Sequence, residues 1–165
     1  MIKKESIDAM KIKLVVVGET KSNYIREGEK DFIDRIRHYT NLDYLVIRPE
    51  KLVKSRNESS IVMVEGDRIS EKFESGDWKV ALESKARQVT SEQFAVYIQS
   101  KLNMSFRSMT FLIGGPLGLS DRILNSVNDS LSLSTLTLTH ELARLVLLEQ
   151  IYRAFTILHG EKYHK

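Results

Sequence analysis

Residues 113–120 (IGGPLGLS) form the first segment whose composition suits ligand binding. They follow an apolar run, and the adjacent Gly114 and Gly115 let the backbone approach a ligand without interference from a Cβ, while Pro116 stiffens the turn. Ligands of open α/β sheets bind beyond the carboxyl ends of the strands, where this segment falls. It matches neither GxGxxG nor a P-loop, and a tight strand-to-helix turn explains it equally well. The segment therefore predicts either a ligand loop or a plain turn.

Residues 131–140 (LSLSTLTLTH) form a second such segment, in which apolar and hydroxyl side chains alternate. Small hydroxyls donate and accept hydrogen bonds without bulk, which suits the wall of a cofactor site. A half-exposed strand is also rich in threonine, and the alternation predicts a strand over residues 131–138. From the residues alone, the plain strand is the better supported of the two interpretations.

The last third of the chain contains a helix, predicted over residues 140–158, that is apolar around most of its circumference. Such a helix must be buried on nearly all sides, so we expect part of it to meet another subunit. One polar stripe on this helix consists of Glu149, Arg153 and Thr156. Glu149 and Arg153 could form a structural ion pair, or Arg153 could lie at the edge of a site and contact RNA. In the tail, Tyr163 could stack on a base and His164 could move a proton, although terminal residues are usually frayed.

Strands and helices alternate along the chain and must position these segments. Strands are predicted at residues 11–17, 43–48, 78–82 and 109–113, and helices at 24–39, 64–73, 91–102 and 119–127, with a polar loop at 51–60. The last helix could instead begin with Ser120 as its N-cap, because serine is favoured at that position. The alternation predicts an α/β domain with a mostly parallel sheet. Met10 precedes the first strand, so we expect residues 1–9 to be an N-terminal extension and residues 10–165 a single domain.

Composition limits the classes of function. The chain has 165 residues, 42% of them hydrophobic, and no cysteine, which excludes disulfides, thiolate metal sites and a cysteine nucleophile. We see neither a signal peptide nor a transmembrane segment nor a metal-ligand spacing, and we expect a cytoplasmic protein without a metal. A net charge of +3 permits an RNA partner without requiring one.

Taken in order, IGGPLGLS, LSLSTLTLTH and the closing LARLVLLEQIYRAFTILHGEKYHK resemble the C-terminal signature of the RlmH family of SPOUT-class methyltransferases. The opening KIKLVVVGE resembles that family's first strand. The resemblance implies an α/β fold, a mostly parallel sheet flanked by helices with a C-terminal deep trefoil knot. It also implies a homodimer that transfers the methyl group of S-adenosyl-L-methionine (SAM) to nitrogen 3 of a pseudouridine in large-subunit (23S) ribosomal RNA, on assembled ribosomes.

The resemblance also implies particular site residues. The SAM contacts would be Leu82, Gly115, Ser134, Thr135, Leu136, Thr137, Leu138 and Thr139, many of them through backbone atoms. From the residues themselves, we assign Arg153 to positioning the substrate or stabilising charge, His140 and His164 to handling the proton, and Tyr163 to stacking on a base. The family commonly has proline where Thr139 stands, so Thr139 either loosens this turn or caps the long helix.

Three other functions remain open at this point. A SPOUT methyltransferase could act on tRNA or on another ribosomal nucleotide, because fold does not settle substrate. A non-catalytic RNA-binding protein could use the same scaffold, and tight SAM binding would argue against it. A Rossmann nucleotide enzyme is the most distant alternative, because no glycine-rich loop follows Val17.

Overall fold

The computed structural model describes residues 11–51, 57–104 and 106–164. These residues form a sheet of five strands. The strands run in the order β2-β1-β4-β3-β5, and each neighbouring pair is parallel. Their bounds are β1 Lys11–Val17, β2 Leu42–Ile47, β3 Asp77–Gln88, β4 Ser108–Ile113 and β5 Asp129–Ser132. The predicted α/β class with a parallel sheet is confirmed, whereas the proposed extension at residues 1–9 lies outside the described residues.

Helices cover both faces of this sheet. They are α1 Asn23–Ile36, α2 Glu58–Ser70, α3 Ser91–Leu102, α4 Asp121–Leu124 and α5 His140–Leu158, followed by a 3₁₀ turn at Lys162–His164. One apolar core joins the sheet to α1, α3 and α5, and a second joins it to α2 and α4. In β1, Leu14 belongs to the first core and Val15 to the second, which explains its nearly continuous apolar sequence.

Helix α5 begins and ends where the sequence predicts. Its Leu147, Ile151 and Phe155 are fully buried, and the helix contacts both α1 and α3. Leu142, near its N-terminus, remains 36% exposed, so burial is incomplete at that end. Within the described ranges, no helix has the length and apolar character needed to cross a membrane.

The strand predicted over residues 131–138 is wrong beyond Ser132. The Ser132 hydroxyl donates to the carbonyl of Ser134 (2.9 Å), and the Ser134 hydroxyl accepts from the N–H of Leu136 (2.9 Å). These local bonds offer the backbone an alternative to a strand ladder. The alternating pattern therefore belongs to a short strand followed by a loop over residues 133–139.

Several other boundaries differ from the prediction, and the helices predicted to end at residues 39, 73 and 127 end three residues earlier, at Ile36, Ser70 and Leu124. Helix α2 begins at Glu58, inside the predicted polar loop, because the Asn57 side chain accepts from the N–H of Ser59 and caps it. Strand β3 continues to Gln88, and its pairing with β5 shifts register between Leu82 and Arg87. This shift leaves residues 83–86 outside the β3–β5 ladder.

Two polar side chains of α5 attach its first turn to the other end of the chain. Arg144 is 0% exposed and donates to the carbonyls of Val17 (2.6 Å) and Gly18 (2.8 Å) and to the hydroxyl of Thr20 (3.1 Å). The carboxylate of Glu141 accepts from two backbone N–H groups immediately before α1, at 3.1 and 3.2 Å. The start of α5 is thereby held against the end of β1 and the start of α1.

Candidate active site

A cavity of about 490 Å³ lies at the carboxyl end of β4, beside the middle of β3, just beyond the last residue of β3 that pairs with β4. Its walls come from the middle of β3, the glycine-containing loop after β4, the loop after β5 and the first turn of α5. The lining residues are Leu82, Glu83, Ser84, Ile113, Gly114, Gly115, Pro116, Gly118, Ser132, Leu133, Ser134, Leu136, Thr137, Leu138, Thr139, His140 and Ala143. The volume falls in the range typical of small-molecule sites, which are commonly formed by such loops.

The loop after β4 is a tight turn that brings backbone to the cavity. A Cβ on Gly114 would lie 2.3 Å from the carbonyl oxygen of Gly118, and Gly118 has a φ of +80°. The N–H of Gly118 donates to the carbonyl of Gly115 (2.9 Å), and Ser120 caps α4, as the sequence predicts. Glycine is therefore required at position 114, and the segment is a tight turn that also lines the cavity.

The Cβ direction of Gly115 leads behind the loop. A Cβ there would meet Val17 Cγ1 at 3.3 Å and Glu65 Oε2 at 3.4 Å, and neither residue lines the cavity. Burial raises the pKa of Glu65, an effect opposed by the N–H that Glu50 donates to it. A larger residue at position 115 would thus displace the loop from behind.

The loop over residues 133–139 supplies the opposite wall. The family resemblance implies six SAM contacts in this loop, and all but Thr135 line the cavity: Ser134, Leu136, Thr137, Leu138 and Thr139. Thr139 has φ −62° and ψ 151°, and its hydroxyl accepts from the N–H of Leu142 (3.2 Å). Thr139 therefore caps α5 while keeping a φ that proline would also adopt.

His140 is the one histidine in the cavity lining. Its pKa is lowered by burial and by the positive charge of Arg144, an effect opposed by the nearby carboxylate of Glu141. A lowered pKa leaves the imidazole neutral at neutral pH, so one ring nitrogen can accept a proton.

Arg153 and Tyr163 lie away from this cavity, in a second polar cluster around Glu149. One Glu149 oxygen accepts from Arg153 Nε (3.0 Å), from its terminal nitrogen (2.6 Å) and from the Tyr163 hydroxyl (3.2 Å). The hydrogen bond to Glu149 raises the pKa of Arg153, and burial raises that of Tyr163.

The position of this cluster on α5 separates it from the cavity of the same chain. Arg153 follows His140 by thirteen residues, which corresponds to about 20 Å along a helix. The His164 side chain lies outside what the structure describes. The predicted cofactor residues other than Thr135 are therefore brought together at one cavity, whereas Arg153 and Tyr163 do not line it.

The sequence prediction omitted several residues of this site. Gly114 and Pro116 belong to the segment already singled out, and the adjacent glycines were their signal. Glu83 follows Leu82 directly, yet one carboxylate after a strand is no signal on its own. Glu65 sits in the middle of α2, where nothing in the sequence indicates proximity to a ligand loop. Among the described residues, no group of three His, Asp or Glu side chains is arranged to hold a metal ion.

Comparison with known proteins assigns a class. The family model described as "Predicted SPOUT methyltransferase" matches residues 10–164, and the chain belongs to this family. Membership in the SPOUT family implies the C-terminal trefoil knot predicted from the sequence.

Curated relatives agree with that class over nearly their whole length. A protein from Parabacteroides distasonis is 37% identical over 155 residues, covering 94% of this chain and 99% of its own. Proteins from Halothermothrix orenii and Streptococcus thermophilus are 38% and 39% identical over 159 residues, each covering 94% of this chain and 100% of its own. All three are named "Ribosomal RNA large subunit methyltransferase H".

Proposed function

We propose that this chain methylates large-subunit ribosomal RNA, using SAM to modify nitrogen 3 of a pseudouridine on assembled ribosomes in the cytoplasm. The observation that carries the proposal is the cavity, which gathers seven of the eight predicted SAM contacts from segments that are far apart in sequence. Family membership and three relatives with the same ribosomal RNA methyltransferase name support the same reaction class. We propose residues 10–165 as the catalytic domain and residues 1–9 as an extension.

The cavity fits SAM in size and in chemical character. Leu82, Ile113 and Leu138 provide apolar wall for an adenine ring, while backbone and hydroxyl groups of the loop over 133–139 suit ribose and amino-acid oxygens. Glycine at position 114 is required by the turn itself, because a Cβ there would meet the backbone of Gly118, and this turn brings backbone to the cavity wall. When bound, SAM supplies an electrophilic methyl group.

Residues of the chain must handle the proton of the target. Nitrogen 3 of pseudouridine is a weakly acidic imide, so it must lose its proton to become nucleophilic. We assign this proton to His140, whose neutral imidazole lines the cavity, with His164 as the second candidate. Arg153 would position the substrate or stabilise the negative charge that develops on it, and Tyr163 would stack on the base or its neighbour.

These assignments require a homodimer. Arg153 and Tyr163 lie about four turns of α5 from the cavity of their own chain, so they would complete the cavity of a partner subunit. Apolar side chains near the cavity end of the molecule support such pairing, because Tyr24 is 74% exposed, Leu136 75% and Leu142 36%. Two chains would also double the modest positive charge available to RNA.

Methyl incorporation from labelled SAM tests the proposal. The substrates are ribosomes that lack the modification, naked ribosomal RNA and tRNA, with the product nucleoside identified by mass spectrometry. We expect methyl-pseudouridine in ribosomes alone. Incorporation into tRNA would retain the SPOUT class and overturn the substrate. No incorporation by a folded dimer would favour an RNA-binding protein without catalytic activity.

A further inference from the structure

The charge around the cavity is opposite in sign to that of the whole chain. The chain has a net charge of +3, yet the cavity lining contains neither lysine nor arginine among the described residues. Its ionisable side chains are Glu83 and His140, and the lowered pKa of His140 leaves that imidazole neutral. The wall itself therefore carries one negative charge.

A second carboxylate lies immediately behind the wall. Glu65 is 4% exposed, and its Oε2 lies 3.4 Å from the Cβ position of Gly115, which lines the cavity. At the next residue of α2, a Cβ on Gly66 would lie 2.6 Å from the hydroxyl of Ser120. Helix α2 thus packs tightly beneath both ends of the glycine-containing loop, so little solvent can screen Glu65 from the cavity.

Neighbouring cations are engaged with other groups. Arg68, the cation nearest to Glu65 on α2, donates to Glu50 Oε2 (2.7 Å) and to the carbonyl of Arg48 (2.8 Å). Arg144 approaches from α5, but its guanidinium faces the end of β1 and the side of Glu29. Burial raises the pKa of Glu65, but the N–H of Glu50 and the charge of Arg68 oppose that rise and favour the carboxylate form. The negative potential of Glu65 and Glu83 at the cavity is therefore only partly offset.

We propose that Glu65 and Glu83 make the cavity selective for a positively charged methyl donor over the neutral product that remains after transfer. This inference rests on the proposed function. In the reaction a nitrogen–carbon bond forms as the sulfur–methyl bond breaks, and the sulfur takes the bonding electron pair. The sulfonium becomes a neutral thioether, S-adenosylhomocysteine, and the imide proton goes to a protein base. Loss of the ligand's net positive charge would favour product release.

The size of the effect follows from Coulomb's law. With an effective dielectric of about 20 and a separation on the order of 10 Å, one carboxylate favours the charged ligand on the order of tenfold. Glu83 is only half-buried, so solvent screening reduces its share. We therefore expect Glu65→Gln to lower the affinity ratio of the charged to the neutral ligand more than Glu83→Gln does.

Titration calorimetry of the full chain with SAM and with S-adenosylhomocysteine tests the inference. Both variants keep side-chain size and remove one negative charge each. Asp67→Asn is the matched control, because Asp67 lies on α2 near Glu65 but is exposed and paired with Arg122 at the surface. We expect the affinity ratio of the charged to the neutral ligand to fall in both glutamine variants and to stay unchanged in Asp67→Asn.

Other outcomes overturn the inference in distinguishable ways. Equal loss of affinity for both ligands would mean that these carboxylates only shape the cavity. A ratio unchanged from that of the original chain in both variants would remove charge selection altogether. If the folded chain bound neither ligand, the proposed cofactor itself would be wrong. Glu83→Gln keeps the test decisive if the buried Glu65→Gln variant fails to fold.

Discussion

Replacing Arg144 with methionine should destabilise the protein severely. The guanidinium is fully buried and donates to two carbonyls at the end of β1 and to the Thr20 hydroxyl. Hydrogen bonds from a charged donor stabilise a fold by about 1.5 kcal/mol each or more, so three bonds correspond to about 4 kcal/mol. Methionine would also leave Glu29 without the nearby positive charge that opposes its burial.

Thermal unfolding at fixed protein concentration measures this loss. For a chain of this length, about 4 kcal/mol corresponds to a decrease in Tm of about 10 °C. The matched control is Arg122→Met, because Arg122 is exposed and its pair with Asp67 lies at the surface, where such pairs contribute less than about 1 kcal/mol. The double variant Arg144→Met with Glu29→Gln should recover part of the loss, because it removes both buried charges.

The effect of Arg144→Met should extend to the cofactor. The first turn of α5 contributes His140 and Ala143 to the cavity wall, and Arg144 attaches that turn to β1. We expect weaker SAM binding at temperatures where the variant is still folded. A Tm within about 2 °C of the original, or no difference from Arg122→Met, would refute the reasoning that this buried arginine holds α5 in place.

Three further predictions follow from the site. Gly114→Ala should reduce SAM affinity more than about tenfold in calorimetry, because its Cβ would meet the backbone of Gly118. Gly118→Ala should reduce it less, because its Cβ meets no other atom and the cost is limited to the strain of alanine at a φ of +80°. Arg153→Ala should abolish methyl transfer while SAM binding persists, and unchanged turnover would remove Arg153 from the mechanism. Backbone N–H groups lower the pKa of Glu141 below 4.5, so the stability it contributes is present above pH 4.5 and lost as pH falls through the lowered pKa. Glu141→Gln should flatten that acid limb of the unfolding free energy, and an unchanged limb would contradict the assignment.

Local patterns were enough to predict the sheet class, the bounds of α5 and the place of the glycine-containing loop. Each of these depends on a periodic or continuous pattern that burial enforces, such as the apolar β1, which is covered on both faces. The cap at Ser120 could also be predicted, because capping uses a side chain and N–H groups only three residues apart.

The same local reasoning failed where two local structures compete. Residues 131–138 alternate like a strand, but hydroxyl groups at Ser132 and Ser134 bond to nearby backbone and the strand ends early. The alternating residues are compatible with either structure. The outcome depends on how far β5 pairs with β3, a contact with a strand about 50 residues earlier in the chain.

In the candidate site, too, some features could be predicted from local sequence and others depend on contacts between distant residues. The segments that carry the proposed cofactor residues could be chosen from residue types alone, because glycine and small hydroxyl side chains keep their chemistry in any fold. The position of Glu65 behind Gly115 and the contact of Arg144 with β1 could not, because they depend on how distant elements pack together. The distance of Arg153 from His140, by contrast, already follows from their spacing on the predicted helix. The contacts of Glu65 and Arg144 join residues from about 50 to more than 120 positions apart, and their distances follow from how helices pack on the sheet, which no local pattern records.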